Sequence, residues 1–173
     1  MTIALAFLAL LEARPRHGYE LKNDYDRHFG RDRPLHYGQA YATLARLLKS
    51  GLAAIDGIEP GGGPDRKRYA ITEAGVADVQ RWLDEPEDPA ATPHSTLHAK
   101  IVGALLTGRS AGAVLDAQRA ANLRVMRELT RRKGDGDPAA QLLRDHAMVH
   151  LEADLRWLEH AENRLDELTS AVR

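Results

Sequence analysis

The chain has 173 residues, 43% hydrophobic and 28% charged, with 24 Lys and Arg against 25 Asp and Glu. That length allows one or two small domains, and a formal net charge of −1 means that any nucleic-acid surface must be local. The absence of cysteine excludes disulfides, thiolate metal sites and a cysteine nucleophile, and fits a reducing cytoplasm.

The first helix is expected from about Thr2 to Ala13, with Ile3, Phe7, Leu10 and Leu11 on one face and Pro15 as its stop. Its apolar run, "IALAFLALL", is too short to span a bilayer and reads as a buried helix. A second helix is expected from about Gly18 to Phe29, with Leu21, Tyr25 and Phe29 inward and Lys22, Asn23 and Asp26 outward. A third follows Pro34, from about Gly38 to Ser50. Its inward stripe is Tyr41, Leu44 and Leu48, and Gln39, Thr43, Arg46 and Ser50 lie outward. The period then changes. "LAAIDGI" and "RKRYAIT" read as two strands joined by a glycine-rich tip, a long-tipped hairpin. Thr72 caps a fourth helix with Val76, Val79 and Leu83 inward.

"EPEDPAATP" is the one clear linker, with three prolines in quick succession. Beyond it a helix is expected from Ser95 or Thr96 to about Leu106, and another from Ser110 to about Lys133. A long last helix runs from about Pro138 to Leu168. Leu151, Leu155, Leu158, Leu165 and Leu168 repeat near 3.5 residues in it, the pattern of a dimerisation seam. The expected fold class is mainly α, an α+β winged helix-turn-helix followed by a helical domain. The organisation is 1–85 winged head, 86–94 linker and 95–173 helical dimerisation and effector domain.

In the winged-helix order the third helix is the recognition helix and the hairpin is the wing. Gln39 suits an adenine edge, Arg46 a guanine or phosphate, and Thr43 a thymine methyl. Gly38 and Ala42 are small enough to let that helix approach DNA closely. Arg66, Lys67 and Arg68 flank the wing tip and suit phosphates. "GGGPDRK" lacks the phosphate-loop pattern and leads into a strand, so a nucleotide cradle is disfavoured. The stretch from Arg14 to Lys49 carries eight basic against four acidic residues, a local excess that suits a DNA face.

"HGYEL", "YGQAYATLARLLKSGLA" and "GPDRKRYAITEAG", in that order, resemble the PadR family of transcriptional regulators, the phenolic-acid-response repressors. The resemblance implies a cytoplasmic homodimer held by C-terminal helices, bound to a two-fold double-stranded operator. It also implies release by a small hydrophobic or aromatic effector, so that the regulator is expected to be a repressor. It marks Tyr19 and Lys22 as DNA-backbone contacts, Gln39, Tyr41, Thr43 and Arg46 as recognition-helix residues, and Arg66, Lys67 and Arg68 as wing contacts. Ala42 departs from the family pattern, standing where many members have proline.

Trp82 and Trp157, the two tryptophans, are candidates for lining an effector pocket, with ordinary packing as the plainer account. His94 and His98, and His146 and His150, stand four apart, a spacing that can bind zinc or nickel; solvated or hydrogen-bonded histidines are the plainer account. No catalytic motif is evident, no cofactor is expected, and no membrane partner. Two alternatives stand beside the DNA-binding reading: a metal-responsive regulator using the histidine pairs, and a winged-helix protein-interaction module.

Overall fold

A computed structural model describes residues 3–30, 34–59, 66–88, 95–131 and 138–172. Helix α1 (Ile3–Ala13) leads through strand β1 (Arg16–His17) into α2 (Gly18–His28) and α3 (Tyr37–Lys49). Strands β2 (Ala53–Glu59) and β3 (Arg66–Ile71) and helix α4 (Glu73–Asp84) complete the head. Helices α5 (Ser95–Leu106), α6 (Ala111–Arg131), α7 (Pro138–Glu162) and α8 (Leu165–Val172) make the body. Among the described residues no helix is long and apolar enough to cross a membrane.

α1 is apolar on every side because it is surrounded on every side. Ala6 through Leu11 are all buried, and α1 packs against α2, α3, α4, β3 and the body helix α5. One hydrophobic cluster therefore runs without a break from the head into the body, taking in Leu21, Leu44, Val79, Ile101, Leu115 and Leu158.

The expected hairpin is present, and β1 adds a strand that the pattern did not announce. The antiparallel order is β1-β3-β2, with Arg16 opposite Tyr69 and Ala53 opposite Ile71. Two residues after a proline carry no readable period. Between Ile55 and Gly57 the register shifts, leaving Asp56 as the extra residue of a bulge. The glycine-rich tip, at 60–65, lies outside the described residues.

Thr72 caps α4 as expected, its hydroxyl accepting the Gly75 N–H at 3.2 Å. Gly75 has a steric role at the wing base: a Cβ there would lie 2.3 Å from the Leu52 carbonyl oxygen. The strap after α4 is pinned to the body by two polar side chains. Gln118 accepts the Glu87 N–H at 2.7 Å and donates to the Glu87 carbonyl at 2.9 Å, and the buried Lys100 pairs with the Glu87 carboxylate at 2.9 Å and bonds the Glu85 carbonyl. Residues 89–94 lie outside the description.

The long last helix is in fact two. The chain turns at Asn163 and Arg164, and Arg164 N–H bonds Ala161 in a tighter three-residue step. No glycine or proline marks the turn. Tertiary packing accounts for it, since α7 lies on α6 while α8 packs on α5, where Leu165 and Leu168 meet the core.

Candidate nucleic-acid interface

α3 amphipathicity builds the site. Its buried side is Ala40, Thr43, Leu44 and Leu47, and its exposed side is Tyr37, Gly38, Gln39, Tyr41, Ala42, Ala45 and Arg46. Two expectations are corrected. Tyr41, placed in the inward stripe, is 47% exposed. Thr43, placed outward for base reading, is 1% exposed, and its hydroxyl donates to the Gln39 carbonyl at 2.8 Å. The cause is a rotation of the buried stripe by about one residue along the helix: Ala40, Leu44 and Leu47 set the inward direction, and Thr43 falls between them. A threonine can sit there because its hydroxyl satisfies itself on the preceding turn.

α2 meets α3 closely at Gly18. A Cβ there would lie 2.8 Å from the Tyr41 ring and 3.3 Å from Leu44, so glycine seats the exposed Tyr41 over the start of α2. That start carries a capping box, in which the Glu20 carboxylate accepts the His17 N–H at 2.8 Å. Asp26, expected to face away, does more than meet solvent. It accepts the Leu35 N–H at 2.7 Å, tying α2 to the approach of α3, and pairs with Lys22 at 2.7 Å. Burial pushes the Asp26 carboxyl upward, but the Leu35 N–H and Lys22 outweigh it and hold the group below its ordinary value. Lys22 also stands 5.0 Å over the Tyr37 ring.

β3 brings the wing cations beside this surface. His17, Gly18, Tyr19, Tyr41, Arg66, Lys67 and Tyr69 line one open cleft of about 440 Å³ between the start of α2, α3 and the wing. Arg66 lies 5.8 Å from the Tyr19 ring centroid, and Tyr19 stacks on His17. Burial, and then the neighbouring Tyr41, raise the Tyr69 phenol above its usual value, so it remains neutral at the cleft floor.

The three wing cations are not equivalent. Arg68 is bound within the wing, by Asp56 at 2.9 Å and Glu59 at 3.7 Å. Arg66 and Lys67 are exposed and make no ion pair among the described residues. Arg16, counted in the local basic excess, is buried and paired with Asp24 at 2.8 Å. Arg46 is exposed and folds back, donating to the Thr43 hydroxyl at 3.2 Å. The local charge available to a ligand is therefore smaller than the residue count implies. His17, Tyr37, Asp56 and Glu59 were not singled out from sequence, although "HGYEL", "YGQAYATLARLLKSGLA" and "LAAIDGI" contain the first three.

The dimerisation seam is also revised. Leu151 and Leu158 are 3% and 0% exposed inside the protomer, and Leu155, Leu165 and Leu168 pack on the same core. The leucine repeat is the inward stripe of α7 and α8. The apolar side chains that α7 leaves open are Leu142 (71%), Leu143 (72%), Val149 (64%) and Trp157 (39%).

Trp82 is nearly buried between α4 and α5, where it closes over Gly103, and it borders a cleft of about 340 Å³ with Leu5, Leu8 and Leu52. Trp157 lies on the open face of α7, away from these clefts. A third cleft, of about 370 Å³, separates α4 from the start of α6. Arg109 at its wall bonds Gln80 at 2.6 Å and Glu12 at 2.7 Å. Of the histidine pairs, His94 lies outside the described residues, while His146 and His150 bring their Nε2 atoms within 3.0 Å.

The sequence model described as the transcriptional regulator PadR-like family matches residues 7–81. A chain of Mycobacterium tuberculosis described as a "probable transcriptional regulator" is 30% identical over 193 aligned positions, covering 100% of this chain and 98% of that one. Among solved structures, Bacillus subtilis PadR in complex with operator DNA is similar at 18% identity and a TM-score of 0.45, over 97% of this chain and 99% of that one. The same protein with p-coumaric acid is similar at 17% identity and a TM-score of 0.42, over 95% of each chain.

Proposed function

The chain belongs to the PadR-like family of transcriptional regulators, and from that premise we propose that it is a homodimeric repressor of double-stranded operator DNA. The observation that carries this reading is the joint surface of α3 and the wing. An exposed helix face with Gln39, Tyr41 and Arg46 adjoins a cleft flanked by Arg66 and Lys67, which make no ion pair among the described residues. α3 enters the major groove, Gln39 reads a base edge, and Arg66, Lys67 and the Tyr19 hydroxyl hold backbone phosphates. Thr43 has no part in base reading, because it is buried within its own protomer. Arg68 acts indirectly, holding the wing strands together through Asp56 and Glu59.

A two-fold operator needs two heads about 34 Å apart. The open face of α7, with Leu142, Leu143, Val149 and Trp157, is the surface we assign to the second copy. Its exposed apolar side chains are the kind that association removes from water. A small hydrophobic or aromatic effector fits the cleft beside Arg109 at the head–body junction or the cleft beside Trp82 in the head, both of which have the dimensions of small-molecule sites. By favouring one head–body arrangement over another, such a ligand shifts the protein away from the DNA-competent state.

The test is a gel shift with the DNA upstream of the protein's own gene against random duplex. Gln39→Ala should relax preference at one base pair by about 1–3 kcal/mol while leaving random-duplex affinity in place. Equal weakening on both duplexes would remove Gln39 from base reading, and no shift at low salt would remove the DNA-binding assignment itself.

A further inference from the structure

We propose that His146 and His150 form a chelating site for a six-coordinate or tetragonal divalent transition metal, of the Cu²⁺ or Ni²⁺ class, on the open face of α7. Both side chains are exposed, one helical turn apart, with ring centroids 4.3 Å apart and Nε2 atoms 3.0 Å apart. That separation suits an ion that takes ligands at right angles. With metal–nitrogen bonds of about 2.05 Å, two nitrogens at 3.0 Å subtend about 94° at the metal, the angle of adjacent positions in a square or octahedron. A tetrahedral ion would need the nitrogens about 0.3 Å further apart.

The chemistry needs little rearrangement. Two neutral imidazoles at this distance share one Nε2 hydrogen. On metal binding the donating ring carries its proton on Nδ1 instead, and both Nε2 lone pairs turn to the ion, with no net proton released. Among the described residues no third His, Cys, Asp or Glu joins the pair. Within one protomer, water or an exchangeable ligand therefore takes the remaining positions; in the dimer proposed above, the pair stands on the face assigned to the second copy, whose approach limits those positions. Its place is specific: His146 and His150 are exposed on α7 together with Leu143 and Val149, on the side that the body of the same protomer leaves uncovered.

The experiment titrates CuCl₂ and NiCl₂ separately into tag-free full-length protein, without DNA, by calorimetry. The copper complex is also examined by electron paramagnetic resonance. One equivalent per chain should bind, with hyperfine coupling from two imidazole nitrogens. His146→Ala and His150→Ala should each weaken binding at least tenfold and leave a one-nitrogen signal. His160→Ala, two turns and more further along the same helix, should bind as the parent does. Absence of stoichiometric binding by the parent chain would overturn the proposal. So would binding that survives the double substitution, or binding that His160→Ala abolishes. Because DNA is absent, these outcomes are independent of the gel-shift result.

Discussion

Arg66 and Lys67 are exposed and unpaired among the described residues, whereas Arg68 is held by Asp56 and Glu59. Only the first two are free to displace counterions from DNA. Replacing both with glutamine removes two phosphate-neutralising charges per chain and four per two-fold dimer. Each is worth about 0.9 in the slope of log affinity against log salt, so the slope should become shallower by about 3.6. Between about 50 and 200 mM salt, the parent protein should then lose roughly 150-fold more affinity than the variant does. Fluorescence anisotropy on a labelled duplex across that range reads both slopes. Arg68→Gln is the internal comparison: a cation already neutralised within the wing should leave the slope nearer the parent value. If Arg66→Gln/Lys67→Gln keeps the parent slope, or if Arg68→Gln flattens it just as much, the division of labour argued from the ion pairs is wrong.

Leu158→Ala should destabilise the fold by about 2–5 kcal/mol in urea denaturation, because it empties a fully buried position. Leu143→Glu should instead leave the melting temperature of the protomer in place and shift sedimentation toward monomer. Asp26→Ala should lower the melting temperature at pH 7. The lowered carboxyl contributes above its unfolded value of about 3.9 and loses that contribution as pH falls through its lower folded value, so the gap to the parent should narrow in acid. Gln118→Leu strands the Glu87 N–H and carbonyl and should cost about 1–3 kcal/mol per group left without a partner. Limited proteolysis should then cut faster between α4 and α5 while the rest of the chain stays intact.

Much of the head was legible from sequence because its signals are local. Pro15 and Thr72 mark element ends through backbone chemistry acting within a few residues, and the change of period after Ser50 announces the wing. Other features had no local signal. A two-residue strand has no period, and β1 exists because Arg16 and His17 meet Tyr69 and Arg68 some fifty residues later. The α7–α8 break lacks a glycine or proline and follows from where Leu165 and Leu168 can reach the core.

Periodicity identifies a stripe but not what covers it. The leucines of α7 repeat as a dimer seam would, yet they are consumed by α6 and the core of their own protomer. The same limit applied to charge and to helix phase. A sequence counts cations; only the folded chain shows that Arg16, Lys22 and Arg68 are spent on Asp24, Asp26, Asp56 and Glu59 while Arg66 and Lys67 stay open. Thr43 and Tyr41 exchanged their expected places because the rotation of α3 is set by which residues touch α1 and α2. Local patterning determined the elements and their order, and long-range packing decided which of their faces remain for a partner.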